Sequence, residues 1–311
     1  MKRVFKGAIA GFTLALGSMT ALAASAVLDT GTVSMGLGDD GGLGVGGVGL
    51  TSTFLPSGGN DAITPGCLCE GWGAAAGGIA GYTYGGSQSG ISTALLTTTT
   101  ASGTGLSAAS VVTMTNGLQV THNYSYAAGG LLFKVAIEIK NTTAGVLTDV
   151  RYARTLDWDV PPGHFSDDFT SIYGGTPAGP GGKVLHTSTN PFAVPNPLVT
   201  RAQDADTNVT DKSGDLGGYF IFGFDSLDAG ASTSFDTYIG AARDVASLKT
   251  ALGTVGVEAY SYTFDDTNPV AYGYGFAGLG LPPVFDVPEP GSLALISLAL
   301  LGTVVVRRRR G

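Results

Sequence analysis

The sequence predicts an all-β protein, an antiparallel β-sandwich with one short helix late in the chain. Several segments alternate apolar and polar residues with a period of two, which is typical of half-buried strands. Turn residues separate these segments, and a single segment has the spacing of an amphipathic helix. A signal peptide before the sandwich and a transmembrane helix after it are also expected.

The clearest pair of strands lies at residues 131–141 and 150–160, joined by a turn at 141–145. In the first strand one face carries Phe133, Val135, Ile137 and Ile139. In the second, one face carries Val150, Tyr152, Leu156, Trp158 and Val160, and the other carries Arg151, Thr155, Asp157 and Asp159. Because side chains alternate along a strand, each strand is predicted to have one buried and one solvated face.

The other elements follow from the same patterns. Further strands are expected at 118–126, 218–224, 232–240 and 271–280, with hairpins in the threonine-rich segment 81–110 and one or two strands in the glycine-rich segment 27–60. The helix is expected to begin at Asp244 as N-cap, to bury Val245, Leu248 and Leu252, and to end at Gly253. Residues 161–197 are rich in proline and glycine and are expected to form a loop.

The first 26 residues have the organisation of a secretory signal peptide. Three basic residues precede an apolar run at 7–19, and two small-x-small sites follow, which end at Ala23 and Ala26. Cleavage is expected after one of these two alanines. A permanent N-terminal anchor is less favoured, because the apolar run is short. The Sec translocon and signal peptidase are therefore the first expected partners.

The C-terminal segment combines Pro288-Glu289-Pro290, an uncharged stretch at 291–306 and a terminal arginine cluster. As a helix the uncharged stretch spans about 24 Å, on the short side for a hydrocarbon core of about 30 Å. Arg307, Arg308, Arg309 and Arg310 are expected to stay in the cytoplasm, so that the preceding chain faces outward. The chain thus divides into a signal peptide at 1–26, a β-sandwich body at 27–286 and a sorting and anchor segment at 287–311.

The body between these ends is strongly acidic. Without the seven basic residues of the two ends and Glu289, it keeps 9 basic and 23 acidic residues, a net charge near −14. This charge argues against nucleic acids and anionic membrane surfaces as partners. Fifty glycines without a Gly-X-Y period exclude collagen and suit a β-protein with long loops.

Four aspartates are candidates for a calcium site: Asp157, Asp159, Asp167 and Asp168. The first two share a strand face, the other two lie a short loop away, and carboxylate oxygens are the ligands that Ca²⁺ prefers. A solvated strand face, or pairing with Arg151 and Arg154, would produce the same pattern. A catalytic carboxylate pair for glycoside hydrolysis is the weakest hypothesis, because Asp-x-Asp is common. Apart from Ca²⁺, no cofactor is expected.

Two cysteines, Cys67 and Cys69, are too few for a disulfide scaffold. In an exported protein their thiols are expected to be oxidised, and a local disulfide beside Trp72 is favoured over a redox-active pair. A zinc site is not expected, since His122, His164 and His186 are scattered along the chain.

The tail resembles the PEP-CTERM anchor of Gram-negative bacteria through Pro288-Glu289-Pro290, the apolar helix and the arginine cluster. This resemblance implies recognition by an exosortase, processing near the motif, and association with the cell surface, exopolysaccharide or biofilm matrix. The body is similar to a recurring module of such exported proteins through CLCEGWG at 67–73, VRYARTLDWDV at 150–160 and the segment 222–242. That second resemblance implies no catalytic residue.

We therefore expect a non-enzymatic protein with a structural or adhesive role in an exopolysaccharide or biofilm matrix. It would pass through an inner-membrane intermediate that faces the periplasm before it reaches the cell surface or matrix. The alternative is a carbohydrate-binding module with exposed aromatic platforms, for which the candidates are Trp72, Tyr82, Tyr84 and Trp158. Trp72 is favoured, because alternation places Trp158 in the core. A polysaccharide-active hydrolase is the third hypothesis.

Overall fold

The computed structural model describes residues 21–54, 61–161, 163, 165, 168–174, 183–205 and 208–285. Within them the chain forms antiparallel sheets of ten, six and three strands, which confirms the predicted all-β sandwich. The expected C-terminal helix and sorting motif, and most of the expected signal peptide, lie outside the described residues. No helix in the described ranges is long and apolar enough to cross a membrane.

The strands of the described residues range in length from three to eleven residues. In chain order they are β1 (Ala21–Ala23), β2 (Ser25–Asp29), β3 (Val33–Gly38), β4 (Leu50–Ser52), β5 (Gly71–Ala76), β6 (Ile79–Tyr84), β7 (Ser87–Ser89), β8 (Ile91–Thr100), β9 (Ser107–Met114), β10 (Leu118–Ala127), β11 (Leu132–Asn141), β12 (Val150–Asp157), β13 (Asp168–Tyr173), β14 (Val184–Ser188), β15 (Val209–Ser213), β16 (Gly217–Phe224), β17 (Ser232–Ala242), β18 (Ala259–Asp265) and β19 (Asn268–Ala277). One α-helix, α1 (Val245–Thr254), lies between β17 and β18.

The order of the large sheet is β1-β8-β9-β10-β11-β17-β19-β18-β13-β15, and that of the second sheet is β14-β16-β12-β5-β6-β7. Strands β2, β3 and β4 form the third sheet. Aromatic side chains join the two larger sheets across the core: the ring centre of Trp72 lies 4.4 Å from that of His122, and the ring centre of Phe222 lies 4.6 Å from that of Phe276. These contacts between opposed faces define the sandwich.

The helix begins where the sequence predicts and ends slightly later. The carboxylate of Asp244 accepts a hydrogen bond from the backbone N–H of Ser247 at 2.6 Å, which satisfies one of the free donors of the first turn. Gly253 was expected to end the helix, but it lies inside α1, and the left-handed residue after the helix is Gly256 with φ +70°. Leu248 and Leu252 pack on the outer face of the β17–β19–β18 region.

The expected loop at 161–197 is wrong in part, because β13 and β14 both lie within it. In β13 the sequence DFTSIY contains β-branched and aromatic residues that suit a strand, and it pairs with β18 from Asp168↔Asp265 to Tyr173↔Tyr260. Proline and glycine density in the neighbouring residues conceals this short strand in the sequence.

The predicted division into one buried and one solvated face holds for β11 and fails for β12. Along β11, Glu138 and Lys140 are exposed whereas Ile137 and Ile139 are buried. In β12 nearly every residue is buried, because both faces of the strand are covered: Tyr152 contacts Phe235 of the large sheet, and Ala153 packs against Ala193 on the outer side. Residues 189–199 cover the outer face of that sheet, where the Tyr219 hydroxyl donates to the carbonyl oxygens of Asn196 and Val199 at 3.0 Å.

Candidate functional site

Three carboxylates meet at the end of the sandwich where β12 ends and β16 begins. One side-chain oxygen from each of Asp157, Asp159 and Asp215 lies within 4.8 Å of the other two. The spacing of two between Asp157 and Asp159 directs both side chains to one side of the chain. The register explains the third member: Asp157 pairs with Gly217, and an extension of this antiparallel register would place Asp159 opposite Asp215.

The cluster is buried on one side and open on the other. Asp157 and Asp159 are 2% and 0% exposed, whereas Asp215 is accessible to solvent. Burial, followed by repulsion from Asp159 and Asp215, raises the pKa of Asp157 to about 8. Burial and repulsion from Asp215 and Asp61 raise the pKa of Asp159 to about 7. Burial also raises the pKa of Asp215.

The structure thus brings together two of the four aspartates proposed from the sequence. Asp168 lies near enough to raise the pKa of Asp157 further, but its Oδ2 accepts the backbone N–H of Val160 at 2.8 Å. Asp167 lies outside the described residues. Asp215 was missed, because its place in the cluster depends on the pairing of β12 with β16, which the local sequence pattern does not reveal.

Neither a solvated strand face nor pairing with arginine accounts for the aspartates of β12, so both of these expectations are wrong. The strand face is not solvated, since Asp157 and Thr155 are buried. The arginines pair elsewhere: the Nε of Arg151 lies 2.8 Å from a carboxylate oxygen of Asp149. Arg154 forms an ion pair with Glu70 instead.

Cys67 and Cys69 form a disulfide, with their α-carbons 5.3 Å apart. The disulfide borders the acidic cluster, because the sulfur of Cys67 lies 3.5 Å from Oδ2 of Asp157. A disulfide sulfur carries no proton, so this contact supplies no hydrogen bond to the carboxylate.

Trp72 is not an exposed platform for sugar rings, which corrects the favoured candidate of the carbohydrate-binding hypothesis. It is fully buried and stacks on Tyr152 at a centroid distance of 5.8 Å. Its indole N–H donates to the carbonyl oxygen of Asp40 at 2.8 Å. Trp158 is also buried, and its indole donates to the hydroxyl of Ser261 at 2.9 Å. Tyr82 and Tyr84 are half-buried on β6.

A second polar group lies in the core beside Trp72, and sequence reasoning missed it. Glu70 and Arg154 form an ion pair with side chains 1% and 2% exposed, and Oε2 of Glu70 accepts the N–H of Leu43 at 2.6 Å. His122 Nε2 lies 3.2 Å from the hydroxyl of Tyr152. Burial, with a smaller contribution from Arg154, lowers the pKa of His122 well below its usual value, so the ring is neutral.

The outer side of β8, β9, β10 and β11 forms a broad surface, here termed the open face. It is bounded on one side by the helix, whose apolar cluster lies over the β17–β19–β18 region and reaches Leu132 at the start of β11. Most of its outward side chains are short and uncharged: Thr93, Leu95, Thr97, Ala109, Val111, Thr113, Gln119, Thr121, Asn123, Ser125 and Ala136. A shallow depression of about 230 Å³ lies on it, with Thr97, Asn123 and Ser125 in its lining.

Comparison with known protein families accounts for the C-terminal segment. Residues 286–310 match the PEP-CTERM protein-sorting motif, a range that includes Pro288-Glu289-Pro290 and the arginine cluster. No curated protein matches the sequence significantly. The match confirms the resemblance noted in the sequence. The chain is an exported surface protein that an exosortase sorts through a membrane-anchored intermediate.

Proposed function

We propose that the protein is a non-enzymatic component of the extracellular matrix, with a structural or adhesive role, and that its open face contacts exopolysaccharide. The composition of the open face is the observation that carries this proposal. Hydroxyl and amide groups recur on adjacent strands, where Thr97 lies opposite Ala109, and Ala109 lies opposite Asn123. Sugars carry hydroxyl groups, and hydroxyl and amide side chains can both donate hydrogen bonds to them and accept hydrogen bonds from them.

The shape and charge of the open face also suit an extended polymer. Its short side chains leave the sheet surface accessible over four neighbouring strands. The body carries a net charge near −14, yet β8, β9 and β10 contribute no acidic side chain to this face. On β11 the acidic Glu138 is accompanied by the basic Lys134 and Lys140. A polysaccharide can therefore approach there with less repulsion than elsewhere on the body.

The placement of the polar core residues supports a non-enzymatic role. Glu70, Arg154 and His122 lie in the core of the sandwich, and all three side chains are buried. Glu70 is held by Arg154 and by the backbone of Leu43, which makes it part of the internal packing. Because these three side chains are buried, they are poorly placed to contact a polymer at the protein surface.

Co-sedimentation of the full-length protein with the exopolysaccharide of the producing cells tests the proposal. We expect the wild-type protein to sediment with the polymer and the double variant Thr97→Ala/Asn123→Ala to bind several-fold less. Thr210→Ala, on the exposed strand β15, is the matched control and should bind like the wild type. Equal binding by the double variant would remove the open face from the proposal, and release of reducing sugar ends from the polymer would favour a hydrolase.

A further inference from the structure

We propose that Asp157, Asp159 and Asp215 bind one divalent cation of the calcium class. Their oxygens already lie within 4.8 Å of one another, and three carboxylates can supply up to six oxygen ligands. Calcium takes six to eight oxygens in flexible geometry, so solvent at Asp215 can complete the coordination. This inference stands apart from the matrix proposal, because cation binding is measured on the purified protein without polysaccharide.

The burial and the unpaired oxygen of Asp157 indicate a metal ligand rather than a chance cluster of acidic residues. Its side chain is 2% exposed, and its Oδ1 has no hydrogen-bond partner among the described residues. Its other oxygen faces the disulfide sulfur of Cys67, which cannot donate. A buried carboxylate oxygen without a hydrogen-bond donor is costly, and a bound cation would remove that cost.

The electrostatic surroundings are consistent with a cation. No lysine or arginine in the described part of the chain pairs with Asp157 or Asp215. The side-chain oxygens of Asp159 and Asp215 lie within 4.8 Å of each other, and like charges so close are destabilising. Repulsion from neighbouring carboxylates contributes to the raised pKa values of Asp157 and Asp159, and a divalent cation bound between the carboxylates would attract all three of them.

Calorimetric titration of the EGTA-treated full-length protein with CaCl₂ is the first test. We expect one Ca²⁺ per chain with a dissociation constant of about 0.1–1 mM, the range of extracellular modules, and weaker binding of MgCl₂. Asp215→Asn should weaken Ca²⁺ binding at least tenfold. The matched control is Asp225→Asn, whose fully exposed side chain lies away from the cluster and whose Ca²⁺ affinity should equal that of the wild type. The absence of saturable binding, or equal affinity in Asp215→Asn, overturns the proposal.

Thermal unfolding of Asp157→Asn separates a metal ligand from a residue that only supports the fold. Without Ca²⁺ this variant should unfold at a higher temperature than the wild type, because it removes one of three repelling carboxylates. With Ca²⁺ only the wild type should gain stability. A gain of equal size in Asp157→Asn overturns the proposal, and if this variant does not fold, the titration of Asp215→Asn decides.

Discussion

Glu70 and Arg154 form an ion pair between the two large sheets, with side chains that are 1% and 2% exposed. Glu70 directly precedes β5, and Arg154 lies opposite Trp72 on the neighbouring strand β12. Burial raises the pKa of Glu70, and the charge of Arg154 partly offsets this effect. Each residue therefore needs the other, because removal of either one would leave an uncompensated charge in the core.

Replacing one member of this pair should strongly destabilise the protein. We expect Arg154→Met to lower the free energy of unfolding by about 3–5 kcal/mol, because Glu70 is left buried without its partner. The double variant Glu70→Gln/Arg154→Met should recover part of this loss. Denaturant unfolding of the two single variants and the double variant measures the coupling between the residues.

The control for this double-mutant cycle is Arg151→Met. Arg151 also lies on β12, and its replacement removes a solvent-accessible ion pair with Asp149. We expect a loss of less than about 1 kcal/mol, because exposed pairs contribute little. Additive losses in the Glu70 and Arg154 cycle would contradict a coupled buried pair.

His122 should make stability depend on pH. The pKa of the folded state is lowered, so below about pH 6.5 the unfolded chain takes up a proton that the folded chain does not. The free energy of unfolding should therefore fall with falling pH, by up to about 1.4 kcal/mol per pH unit from this residue. Burial raises the folded-state pKa of Asp157 to about 8 and of Asp159 to about 7, so these carboxylates act in the opposite direction between pH 5 and 7. The loss from His122 should therefore appear as a difference: from pH 7 to pH 5 the free energy of unfolding of the wild type should fall relative to that of His122→Gln. Parallel pH dependence in the two proteins would show that His122 is not responsible.

The disulfide should contribute little to global stability. It joins Cys67 to Cys69 across a single residue, so it restricts the unfolded chain only locally. The chain-entropy relation gives about 1.6 kcal/mol for so short a loop. We expect Cys67→Ala/Cys69→Ala to fold and to lose no more than this amount in denaturant unfolding. A much larger loss would mean that the disulfide positions a neighbouring group, with Asp157 as the nearest candidate.

The sorting motif should control release from the inner membrane. Replacing Pro288, Glu289 and Pro290 with alanine removes the sequence that the PEP-CTERM match identifies, while leaving the apolar stretch and arginines intact. We expect this variant to accumulate in the inner-membrane fraction instead of reaching the cell surface. Cell fractionation and surface labelling measure the outcome, and unchanged surface display would contradict a role for the motif.

The mature protein should begin at Ala24. The carbonyl oxygen of Ala24 accepts the N–H of Asp39 at 3.1 Å, and β2 starts one residue later with Ser25 paired to Gly38. Cleavage after Ala23 keeps these pairs, whereas cleavage after Ala26 removes them. Amino-terminal sequencing of the exported protein distinguishes the two sites, and a first residue of Val27 would contradict this prediction.

The sequence predicts the strands of the sandwich well where one face of a strand is exposed to solvent, as along β11. There the alternation of apolar and polar residues follows the alternation of buried and exposed positions. It fails for β12, because both faces of that strand are covered, and Arg154 and Asp157 are buried regardless of their charge. The acidic cluster could be predicted only in part, because it also depends on tertiary contacts. Asp157 and Asp159 are close in sequence, whereas Asp215 joins them through strand pairing between segments about 60 residues apart, which no local pattern encodes.

The strand order also sets the distance between the end of the described chain and the open face. The last described residue, Phe285, packs against Tyr260 of β18 at a centroid distance of 4.8 Å, so the chain leaves the sheet at β18. Five strand spacings separate β18 from β9 in the middle of the open face. At ~4.8 Å per strand, the middle of the open face lies about 24 Å across the sheet from the point where the described chain ends. The polysaccharide contact proposed for the open face would therefore lie about five strands away from the end of the described chain.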